Sequence, residues 1–142
     1  MEATVLAATL SGVPSTLHAF IRGGTLRSAT AYVYDATSAV GTLVPPGRRG
    51  FVRGLVVHLA ISMLCGEALA RTLPREHRTE WGAAAGLMIG VVNVGVIGRS
   101  FPAIRNLPLA PQLADNMTFG TLFAMTLDRR DRQRGNSLPT RR

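Results

Sequence analysis

Hydrophobic residues fall in four long blocks, 1–21, 51–73, 81–98 and 109–127, separated by shorter polar stretches. A helix rises about 1.5 Å per residue, so blocks of about 20 residues match a bilayer core about 30 Å thick. The third block, Trp81 to Gly98, carries no charge. Gly82, Gly86 and Gly90 recur there every fourth residue and share one helix face, with Asn93 and Ile97 continuing the stripe. In water so much glycine would weaken a helix, whereas in lipid small residues let backbones approach closely. The pattern predicts that this block is the central strut on which the other helices pack.

The stretch 25–44 differs in kind. Leu26, Ala29, Val33, Ala36, Val40 and Leu43 fall at helical spacing, and Arg27, Ser28, Asp35, Thr37 and Ser38 fall elsewhere around the helix. Tyr32 and Tyr34 suit a headgroup position. An amphipathic helix is expected, lying on the membrane or packed on the bundle. Pro45-Pro46-Gly47 ends it.

The first block contains Ser11, Gly12, Pro14, Ser15 and Thr16. Pro14 should break or kink the helix, and neighbouring hydroxyls can satisfy the freed carbonyls. The block has no positive leading region, which favours a retained span over a cleaved signal. Arg53 and Arg71 bracket the second block and can reach the two interfaces. Glu67 is placed to pair with Arg71 four residues on. Pro74–Glu80 reads as a polar turn, and Trp81 as an interfacial anchor. Pro111 sits near the first turn of the fourth block, where proline is tolerated. The tail 128–142 has six Arg and two Asp and is expected to be disordered. The fold class is therefore an all-α membrane bundle. A domain over 1–127 holds four transmembrane helices plus one amphipathic interfacial helix.

Charge sharpens this picture. The chain of 142 residues carries a net charge of +8, and all 16 basic residues are Arg. They flank the apolar blocks rather than lining one face, which points to a lipid surface and not to nucleic acid. With four spans, nine Arg lie on the side of both termini and seven on the other, so both termini are expected in the cytoplasm of a multi-pass plasma-membrane protein. Cys65 is the only cysteine, which excludes an internal disulfide or a cysteine metal cluster.

Phosphate loops, nucleophile elbows and zinc-protease motifs are absent from the sequence. No catalytic residue, cofactor or metal is assigned. One constellation emerges when the spans are laid antiparallel. Measured from the end facing the 22–50 and 99–108 connections, His18 lies about 4 Å in, Asn93 about 7 Å, Asp115 about 9 Å and His58 about 10 Å. Polar residues inside spans usually face one another. These four predict a hydrogen-bonded layer that fixes helix register, or else a proton or ion relay or a polar ligand pocket. Asp115 is expected to pair with His58 or His18.

Four stretches carry a resemblance. They are Gly12-Val-Pro14-Ser15-Thr16-Leu17-His18, Trp81-Gly82 through Gly86, Arg99-Ser-Phe101-Pro102-Ala-Ile104, and Pro111-Gln-Leu-Ala114-Asp115-Asn116 through Phe119-Gly120. In these the chain resembles small four-span integral membrane proteins of high-GC Gram-positive bacteria, whose function is unassigned. It is more distantly similar to the YagU-like inner-membrane proteins. The resemblance implies the four-span topology and no activity. It would place His where this chain has Asn116.

The sequence thus favours a non-catalytic accessory or assembly subunit of a membrane complex, with the bilayer and a membrane-protein partner or a second copy as its contacts. The second reading is a small transporter or channel using the polar layer.

Overall fold

The computed structural model describes residues 2–136, and among them every regular element is helical. The first block forms two helices, α1 (Glu2–Leu10) and α2 (Val13–Gly23). They part at Ser11-Gly12, with Pro14 in the first turn of α2, where its missing N–H costs nothing. Hydroxyls bond back to carbonyls on either side of the break, though none reaches the Leu10 carbonyl that Pro14 leaves open. Ser11 Oγ donates to Ala8 O at 3.0 Å, Ser15 Oγ to Gly12 O at 3.1 Å and Thr16 Oγ1 to Gly12 O at 2.7 Å.

Helix α3 (Leu26–Val40) begins at Thr25, whose side chain accepts from the Ser28 N–H at 3.1 Å. A 3₁₀ turn, Gly41–Leu43, ends it. Arg53, expected to reach outward to an interface, instead turns back onto this turn. Its guanidinium donates to Gly41 O at 3.0 Å and Val44 O at 2.9 Å, and also to Pro45 O. Carbonyls left open at a helix end attract a cation, and Arg53 supplies it. Helix α4 (Phe51–Thr72) follows, and its Glu67–Arg71 pair is present at 2.8 Å.

Helix α5 (Arg78–Val92) runs into a π-helical turn (Asn93–Ile97), closed by the Gly98 N–H donating to Asn93 O. Short helices α6 (Gly98–Ser100) and α7 (Pro102–Arg105) lead to α8 (Leu109–Asn136). The Arg-rich segment expected to be disordered from Asp128 therefore continues α8 to Asn136, and residues 137–142 lie outside the described residues. Ion pairs from Asp128 and Asp131 to Arg78 hold the extension.

Three helices are long and apolar enough to cross a membrane: Ala3–Gly23 taken across its break, Phe51–Thr72, and Arg78–Ser100 taken through the π turn. Burial runs opposite to that of a water-soluble bundle. The buried side chains are mostly small, among them Ala3, Ala7, Ala8, Ser11, Ser15 and Ser62. Large apolar side chains such as Leu64, Met88 and Val96 point outward. Lipid tails are as apolar as leucine, so helices in lipid associate through close backbone contact and leave bulk outside.

The strut at the centre is α8, not the Trp81–Gly98 block. Helices α1, α2, α4 and α5 all pack on α8, whereas α5 packs chiefly on α8 alone. Phe119 and Phe123 of α8 stack at 6.2 Å and close the core with Ala3, Ala7, Ala8 and Leu69. Helix α3 lies against α2, α4 and α7 and covers the end where Arg22–Gly50 and Arg99–Pro108 connect the helices.

Candidate functional site

Every polar residue expected in the layer now has a place, and they do not form one network. Asp115 on α8 reaches α2. Its Oδ1 accepts the Ser15 backbone N–H at 2.9 Å. The physical cause is the broken first span. The opening N–H groups of α2 have no partner within the helix, and Gly12, its N-cap residue, has no side chain to offer. A carboxylate from another helix fills that role, and the positive end of the helix dipole favours the anion. Neither histidine partners Asp115, contrary to the sequence expectation. A helix start buried inside a bundle is a stronger demand than a histidine that can meet its own needs elsewhere.

His58 on α4 instead faces the Ala8 carbonyl of α1. His18 is half-buried on α2 and makes no hydrogen bond or ion pair among the described residues. Tyr32 of α3 lies on the Asp115 side. Burial, then the carboxylates of Asp115 and Asp35, push its hydroxyl above the usual phenol value.

Asn93 meets Asn116. Its Nδ2 donates to Asn116 Oδ1 at 3.2 Å, while Asn116 Nδ2 donates to Gln112 O at 2.8 Å. The contact sits where α5 turns π-helical, a conformation common at functional sites and at points of close packing.

Between α5 and α8 runs a glycine seam. Gly82, Gly86 and Gly90 are all buried against α8. A methyl added at Gly82 would lie 2.5 Å from the Gly120 carbonyl oxygen and from Ala124 Cβ. One at Gly86 would strike the Asn116 carbonyl, and one at Gly90 would press on Leu113 and Asn116. Gly120 answers from the α8 side against Gly82 and Gly86. The stripe read from the sequence is thus a backbone-to-backbone contact.

One polar cluster escaped the sequence reading. Arg78 is 7% exposed, donates from Nη1 to Asp131 at 2.9 Å and forms an ion pair with Asp128 at 3.0 Å, while its Nε is buried without a partner. The hydrogen bond from Arg78 holds the Asp131 carboxyl below its usual range. The clue in the sequence was Asp128 and Asp131 three apart on one helix face, set against an arginine at the start of the antiparallel neighbour.

Together these contacts tie α2 to α8, α1 to α4, and α5 to α8 at both ends. Among the described residues no three His, Cys, Asp or Glu side chains lie together as ligands for a metal. No protein-family model, curated protein or solved structure matches the chain.

Proposed function

We propose that the protein is a non-catalytic, multi-pass subunit of the plasma membrane that crosses four times and serves as an accessory or assembly partner of a membrane complex. The observation that carries this reading is the use of the intramembrane polar groups. Asp115 is engaged by Ser15, Asn93 by Asn116, and His58 by Ala8. Groups committed to holding helices together are poor candidates for carrying protons or ions, which need alternative partners to hop between.

The fourth crossing is α8. It is not among the three most apolar helices because Gln112, Asp115, Asn116 and Thr118 lie along it. These residues are half-buried, so neighbouring helices shield them from lipid. Four crossings place both chain ends on one face, and the nine Arg on that face favour the cytoplasm. The resemblance to four-span bacterial membrane proteins implies the same topology. The broad apolar surface of α4 and α5 suits a bilayer and a neighbouring membrane protein.

Purification of the tagged protein in a mild detergent tests this. A stoichiometric membrane-protein partner supports the subunit reading. An isolated homo-oligomer that gives pH-dependent flux in vesicles overturns it in favour of a small transporter.

A further inference from the structure

The Arg78 cluster changes the electrostatics of the bundle end around it. Asp128 and Asp131 are the only acidic residues in the stretch 128–136, and both turn toward the buried Arg78. Arg129 and Arg132 are left exposed on the same helix and enter no ion pair among the described residues. They are also held rigidly, because α8 continues through them. Along the helix axis they stand about 2 and 6 Å beyond Asp128.

Trp81 sets the level of this end. It is 56% exposed and lies one turn inside Arg78, the position an indole takes at a membrane–water boundary. The headgroup zone outside the hydrocarbon is about 5–8 Å deep on each side. Gly82 of α5 packs against Gly120 and Ala124 of α8, so the backbones of Arg129 and Arg132 stand about 9 and 14 Å beyond the Trp81 level, and their long side chains reach back toward the phosphates. A guanidinium matches a phosphate with two parallel hydrogen bonds.

We propose that Arg129 and Arg132 form a binding surface for the phosphate headgroups of anionic phospholipids in the leaflet at the Arg78 end of the bundle. Arg78 draws the two nearby carboxylates to its own side of the helix and offsets one of their two charges, so that they do not cancel that surface. This holds only if the bundle sits in a bilayer, the reading proposed above.

Trp81 is the only tryptophan, so its fluorescence reports on this end alone. The protein is reconstituted into phosphatidylcholine vesicles containing equal fractions of either brominated phosphatidylglycerol or brominated phosphatidylcholine. The anionic quencher should be about five-fold enriched around Trp81, the equivalent of about 1 kcal/mol for one arginine near the surface. The preference should shrink as salt is raised. It should fall by at least half in R129Q/R132Q, whose exposed side chains leave the fold intact. Equal quenching by both lipids at low salt overturns the inference and leaves the arginines to an acidic protein or a nucleic acid. So does a preference that stays undiminished in the double variant. Absence of quenching by either lipid defeats the membrane reading itself.

Discussion

The Asp115 carboxylate accepts the backbone N–H of Ser15 at 2.9 Å, across a sequence separation of 100 residues. One side chain of α8 thereby completes the start of α2, and a helix broken in mid-span is made whole by another part of the chain.

That relationship predicts a graded response at position 115. Asp115→Asn keeps an acceptor oxygen and should lower thermal stability in detergent only slightly. Asp115→Leu leaves the Ser15 N–H unpaired and should cost about 1–3 kcal/mol. If Asp115→Asn keeps wild-type stability yet abolishes the cellular phenotype, the carboxyl carries a proton and the structural role is wrong.

The glycine seam predicts a contrast between two glycines. Gly86→Ala drives a methyl into the Asn116 carbonyl, where backbone cannot yield cheaply, and should cost about 1–3 kcal/mol. Gly12→Ala meets nothing within 4 Å at a φ of −77° and should be neutral or slightly stabilising. Unfolding curves of the two variants compare them directly. Equal melting temperatures would remove the seam from the stability of the bundle.

Acid should loosen the Arg78 end. The hydrogen bond from Arg78 lowers the Asp131 pKa in the folded state, so the folded chain binds fewer protons there than the unfolded one. The stabilisation is fully present above the unfolded value of about 3.9 and is lost as pH falls through the lower folded value. Trp81 fluorescence during acid titration should therefore show a transition below about pH 4 that flattens in Arg78→Gln. Identical titrations would mean that the cluster contributes nothing to acid stability.

Topology is open to single-cysteine labelling. In a Cys65→Ser background, Arg48→Cys should react with a membrane-impermeant thiol reagent in intact cells, and Gln133→Cys only after the cells are permeabilised. Labelling of both from outside would refute a fourth crossing by α8.

Several of these features were written in the sequence because each depends on residues near one another along the chain. The helical blocks, the break around Pro14 with its Ser and Thr hydroxyls, the Glu67–Arg71 pair and the Gly82, Gly86, Gly90 face all follow from local spacing. Partner choice did not. Asp115 and His58 share a depth, but helix rotation sets which neighbour a side chain meets, and Asp115 met a helix start while His58 met a carbonyl. Asp128 and Asp131 looked like part of a solvated tail until α8 brought them to Arg78. The misplaced centre has the same kind of cause. In water the most apolar helix belongs inside, but lipid rewards no such order. The apolar Trp81–Gly98 block stands to one side, and α8 takes the middle, because its polar groups need protein partners that only the assembled bundle supplies.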